Sequence, residues 1–137
     1  MNCGINSEKQ LQEIEQVLTG ALIDNGVACA LLIDTAGNTV AERSDGKNRY
    51  DTYAFAALAA GNFATVDSMA KLVGEREFAQ LFHKGENVSI FFSKVNDDLL
   101  LITIFGSEVT LGFLRLKIAE LRQQINSICQ VVEAVAP

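Results

Sequence analysis

The stretch LVGEREFAQLFHKGENVSIFF, Leu72 to Phe92, changes its hydrophobic period part-way along. Its first residues close a helical pattern at Gly74. Beyond Glu77 the apolar positions become aromatic or β-branched, and Lys84-Gly85-Glu86-Asn87 interrupts them with the residue types of a tight turn. A helix exit leading into a hairpin is the reading, with strands over Glu77–His83 and Val88–Val95. After Asn96-Asp97-Asp98 comes a third apolar run, Leu99–Phe105 (LLLITIF). Connections this short join antiparallel neighbours. The third run is apolar at odd and even positions alike, Thr103 excepted, so it is expected at the centre of a sheet covered on both faces.

Working back from this stretch, Ser7 and Gln10 have the spacing of a capping box. Leu11, Ile14, Leu18 and Leu22 follow at helical steps until Asn25-Gly26 supplies a left-handed stop. Val27–Ile33 is again apolar throughout, Asp34-Thr-Ala-Gly37-Asn38 is a hairpin turn, and Thr39–Arg43 is a more polar returning strand. Tyr50–Val73 reads as a second helix. After the hairpin region, Leu111, Leu114, Ile118, Leu121, Ile125, Ile128 and Val132 define a third helix starting near Ser107 or Thr110. The order αββαβββα predicts one α+β domain over residues 1–137, with its core in about 8–130. Its sheet is expected to be five-stranded and antiparallel, with helices on both faces.

At 137 residues, 49% of them hydrophobic, the chain can build one proper core. Eleven basic residues against seventeen acidic ones give a net charge of −6, and the basic residues are scattered, which argues against a nucleic-acid groove. The most apolar helical stretch, Tyr53–Val66, is broken by Gly61-Asn62 and is shorter than the ~20 residues of a membrane span. No membrane insertion is expected. Cys3, Cys29 and Cys129 are odd in number and widely spaced, and no secretion signal precedes them. That pattern reads as thiols in a reducing, cytoplasmic setting.

Catalytic signals are weak. His83 is the only histidine, so no histidine metal cluster can form, and at a strand end beside Lys84-Gly85 it reads as a turn or packing residue rather than a reaction centre. Glu75-Arg76-Glu77 could offer an arginine to a phosphate or paired carboxylates to acid-base chemistry, but alternating charges at a helix exit read as a solvated cap. Cys29 and Cys129 read as packing residues. The nucleotide, hydrolase, zinc-protease and calcium-loop motifs are all missing, so neither a cofactor nor a metal is expected.

The second helix carries the functional signal. It is apolar nearly all round and rich in Ala. Phe55, Leu58 or Ala59, Val66, Met69 and Val73 are expected to cover the sheet. Tyr53, Ala57, Ala60, Ala64 and Phe63 then form a second stripe that the sheet does not reach, and a stripe of that kind fits a partner better than an incidental Ala-rich helix.

The element order, the small-residue second helix and the run from Leu72 through Ile118 resemble the roadblock/dynein-light-chain family. The segments Leu72–Phe78, His83-x-Gly85, Ile104-Phe105 and Leu111-Gly-Phe-Leu-Arg-Leu116 are similar to its bacterial MglB-like branch. The resemblance implies a homodimer in which third strands pair edge to edge and second helices lie together. It also implies a partner, a Ras-like small GTPase of the MglA type, whose own catalytic residues the dimer repositions without supplying an arginine finger. The partner-binding residues so expected are Tyr53, Ala57, Ala60, Phe63 and Ala64, with Lys71 and Arg76 at the rim. A family scaffold or adaptor that leaves hydrolysis unchanged is the alternative. Ile125–Pro137 contains no Lys or Arg, so the resemblance does not extend to a basic C-terminal contact.

Overall fold

The computed structural model describes residues 7–135; Cys3 lies outside them, as does the side chain of Val132. The chain begins with α1 (Glu8–Ala21), whose N-terminus is closed by the reciprocal Ser7 and Gln10 hydrogen bonds. A 3-10 turn, Ile23–Asn25, ends on Gly26 at φ 99°, the left-handed geometry in which a Cβ would be strained. There follow β1 (Cys29–Asp34), β2 (Thr39–Ser44), α2 (Thr52–Leu72), β3 (Gln80–Lys84), β4 (Val88–Lys94), β5 (Leu99–Gly106) and α3 (Leu111–Val135). The strands form one antiparallel sheet in the order β2-β1-β5-β4-β3. This is the α+β arrangement read from the sequence. Most boundaries shift by one or two residues, and the largest differences are that β1 begins at Cys29 rather than Val27 and β3 at Gln80 rather than Glu77.

Alternation along the strands divides the core in two. On one face Ala30, Leu32, Phe91, Leu101 and Phe105 meet Ile14, Leu18 and Leu22 of α1 and Leu114, Ile118, Leu121 and Ile125 of α3. On the other face Cys29, Leu31, Ile33, Phe92, Leu100, Ile102 and Ile104 meet α2. Both faces of β1 and β5 are therefore buried, which is why neither strand alternates in sequence. Thr103, the polar exception in β5, is fully buried and donates its hydroxyl to the Phe91 carbonyl at 3.3 Å.

Polar side chains pin the edges of these layers. Gln10 donates to the Ile128 carbonyl at 3.2 Å and so ties the start of α1 to the end of α3. Asn126 donates to the Val95 carbonyl at 3.0 Å and fixes α3 to the β4–β5 turn. In the β1–β2 turn Asp34 accepts from the backbone N–H groups of Ala36 and Asn38, at 3.0 and 2.8 Å. Slight burial pushes its carboxyl up, but the donors on Asn38 and Ala36 outweigh it and hold the group below its ordinary range.

Candidate interaction surface

The second helix starts at Asp51, whose carboxylate accepts from the Ala54 N–H at 3.1 Å as an N-cap. The buried residues of α2 are Ala56, Ala59, Phe63 and Ala70, at spacings of three, four and seven, and the first three of them pack with the sheet. Leu58 (74% exposed), Met69 (55%) and Val73 (70%) do not cover the sheet as expected; they face outward beside Tyr53 and Leu72, both 87% exposed. Ala59, the alternative to Leu58, is buried, while Phe55 and Val66 are half-buried at the margin.

The helix is thus rotated by about a quarter-turn from the orientation read in the sequence. Small side chains decide the phase. Ala56 and Ala59 let the helix axis approach the sheet, and Phe63 fills the remaining space. Phe63, placed in advance on the outer stripe, is 3% exposed and belongs to the core, so it is not available to a partner.

The other expected residues are placed as follows. Tyr53, Ala57, Ala64, Lys71 and Arg76 are exposed, and Ala60 is half-buried. Part of the reason Ala57 and Ala60 are small is internal to the chain. Gly37 of the β1–β2 turn, at φ 91°, lies so close to α2 that a Cβ there would stand 3.3 Å from Ala57 Cα and 3.5 Å from Ala60 Cβ. From Thr52 through Ala70 only Asp67 carries a charge, so the outward side of α2 is a nearly uncharged surface, its exposed apolar residues interspersed with Thr65 and Ser68, and Lys71 and Arg76 lie at its end.

The edge of the sheet next to this helix layer is also incomplete. Four of the five β3 residues are exposed and Leu81 is half-buried. As the last strand of the sheet, β3 has one row of backbone N–H and C=O groups without a strand partner. His83 lies near the end of β3, as read from the sequence, and packs edge-on against Phe92, ring centres 5.4 Å apart. In the Glu75–Glu77 segment, Glu77 pairs with Lys94, whereas Glu75 and Arg76 are exposed.

No reaction centre emerges from these groups. Burial, reinforced by Glu42 and Asp45, pushes the Cys29 thiol up to about 11, so it stays protonated at neutral pH and is a poor nucleophile. A cavity of ≈ 440 Å³ beside it is lined by Ser44, Arg49, Tyr50 and Thr52, without a histidine or an activated nucleophile. Cys129 corrects the expectation of free thiols: it is disulfide-bonded. Among the described residues no three His, Cys, Asp or Glu side chains gather as metal ligands, and no helix is long and apolar enough to cross a membrane.

The Roadblock/LC7 domain pattern matches residues 13–105. The chain belongs to the Roadblock/LC7 family. Among solved structures it is similar to an MglB in a tetrameric arrangement, at 25% identity and TM-score 0.86, covering 93% of this chain and 96% of that one. It is similar to Myxococcus xanthus MglB at 29% identity and TM-score 0.84, with the same coverages. The gliding protein MglB from Thermus thermophilus superimposes at 26% identity and TM-score 0.84, covering 92% and 95% of the two chains. Among curated proteins none matches the chain. Within the family its likeness is therefore to the MglB branch, and the roadblock fold is that of a non-catalytic regulator family.

The outward residues Leu58, Met69, Leu72 and Val73 were missed from the sequence because both flanks of α2 are apolar. The signal that finds them is the spacing of Ala56, Ala59, Phe63 and Ala70, which singles out the closest-packing face.

Proposed function

We propose that this chain is a homodimeric regulator that binds a Ras-like small GTPase of the MglA type and accelerates GTP hydrolysis. The observation that carries the reading is the outward face of α2: Tyr53, Leu58, Met69, Leu72 and Val73 are more than half exposed over a core that is already closed beneath them. A partner lying on this face would take these large apolar side chains out of water. The likeness to MglB structures supports the choice of partner.

In this reading the β3 edges of two copies pair, satisfying the free backbone groups and bringing two α2 helices side by side. The GTPase lies on the combined α2 surface, with Tyr53, Ala57 and Ala64 in the contact and Lys71 and Arg76 as polar rim. Phe63 supports the helix from below. The regulator brings no catalytic group. It favours one arrangement of the GTPase switch segment, in which the catalytic residues that the GTPase already carries face the γ-phosphate.

The test is single-turnover phosphate release by a candidate GTPase loaded with GTP, with and without the purified protein. Stimulation of about tenfold or more is expected, on the scale of catalytic groups brought into place. Binding without stimulation would select an adaptor role, and an intrinsic rate with no binding would reject the partner altogether.

A further inference from the structure

At the β2 edge of the sheet, on the face that carries α2, we infer a binding site for a small zwitterion of amino-acid type, its ammonium held by Glu42 and its carboxylate by Arg49. The inference goes beyond the regulator reading. Neither β3 nor the outward apolar residues of α2 take part, and β2 and β3 lie at opposite edges of the sheet.

The site is the cavity of ≈ 440 Å³ beside Cys29, within the roughly 300–1,000 Å³ typical of small-ligand sites. Strand register builds it. Cys29 pairs with Ser44 and Leu31 with Glu42, directly opposite residues project to the same side, and Cys29 and Leu31 pack in the core beneath α2. Glu42 and Ser44 therefore form one wall on the α2 side, and the buried Cys29 lies at the floor. Asn48, Arg49, Tyr50 and Thr52, from the segment that leads into α2, form the other wall. Arg43 also lines the cavity, but its guanidinium is engaged by Glu15 of α1.

Two opposite charges that do not meet define the occupant. Glu42 and Arg49 line the same cavity, yet neither forms an ion pair, with the other or with any of the described residues. Nor do the hydroxyls of Ser44, Tyr50 and Thr52 or the side-chain amide of Asn48 hydrogen-bond to another described residue. A ligand bearing both an ammonium and a carboxylate answers both charges, while the hydroxyls and the amide serve a polar, uncharged remainder. A simple anion such as phosphate fits less well. Burial first, and then the carboxylates of Glu42 and Asp45, push the Cys29 thiol up, so the charges felt at the floor are negative. A bare cation would leave Arg49 without a counter-charge.

The experiment titrates L-glutamine into the isotope-labelled full chain at low salt and follows the amide resonances. Saturable shifts of Ser44, Asn48, Arg49, Tyr50 and Thr52 are expected. N-acetyl-L-glutamine, which lacks the ammonium, and L-glutaminamide, which lacks the carboxylate, should each bind about tenfold more weakly, the worth of one charge-assisted hydrogen bond. Glu42→Gln and Arg49→Gln should weaken L-glutamine by about the same factor. Both side chains are exposed, so thermal melts should match wild type. The cross-comparison separates recognition from structure: Arg49→Gln should leave the affinity for L-glutaminamide unchanged, and Glu42→Gln that for N-acetyl-L-glutamine. A variant that weakened all three ligands alike would overturn the assignment. So would the absence of saturation at tens of millimolar L-glutamine, equal affinity for the three ligands, or the same shifts produced by inorganic phosphate alone.

Discussion

Ala64→Arg isolates the proposed role of α2 from the stability of the fold. Ala64 is exposed on the helix, outside both buried clusters. Arginine is a good helix former, so the substitution should change the folding free energy by no more than ~0.5 kcal/mol. At an apolar interface the outcome is different. A guanidinium taken out of water without a partner costs several kcal/mol, and about 4 kcal/mol of lost association energy corresponds to roughly a thousandfold in Kd. The paired measurement is a circular-dichroism melt of the variant and a titration of it against GTP-loaded GTPase, read by phosphate release. The expected result is an unchanged melt and lost stimulation. Ala60→Arg is the informative contrast: Ala60 is half-buried near the Gly37 turn, so that variant should also lower the melting temperature. If Ala64→Arg retained its affinity for the GTPase within about threefold, a difference under 1 kcal/mol, α2 would not be the contact surface.

Three further outcomes follow from the packing. Gly37→Ala forces a side chain into a left-handed conformation at φ 91° and within 3.3 Å of the Ala57 backbone; a loss of about 1–3 kcal/mol is expected in chemical denaturation. Ser93 is fully buried and its hydroxyl has no hydrogen-bond partner, so Ser93→Ala should raise the urea midpoint by about 1 kcal/mol of stability at unchanged slope, and a destabilised variant would contradict this. The Cys29 thiol, raised from 9.0 to about 11, binds its proton more tightly in the folded chain; its contribution to stability is present below pH 9 and is lost as pH rises toward 11. Cys29→Ala should flatten that alkaline decline in melting temperature.

Much of the architecture could be read because its signals were local. The Ser7–Gln10 capping box, the Asn25-Gly26 stop and the short polar turns after β1, β3 and β4 each impose a backbone geometry whatever surrounds them. The doubly apolar β1 and β5 placed themselves at the sheet centre for the same reason. The orientation of α2 was not legible in this way. Its two flanks differ little in hydrophobicity, so transfer energy alone gives no preferred rotation, and side-chain volume settles the matter through contacts remote in sequence. The Gly37 turn against Ala57 and Ala60 is one such contact, and no local pattern announces it. Phe63 was misplaced for that reason, while Tyr53, Ala57 and Ala64 kept their exposure because they lie on the margin common to both orientations.

The modest grip of α2 on the sheet also has a kinetic side. Its buried contribution is three alanines and one phenylalanine, whereas α1 and α3 bring a dense set of leucines and isoleucines to the opposite layer. Per turn, α2 itself gives up fewer large buried side chains on detaching than either of the others. In deuterated solvent its amides should therefore exchange through an opening that spares the rest of the molecule, and a bound partner should slow that exchange most of all.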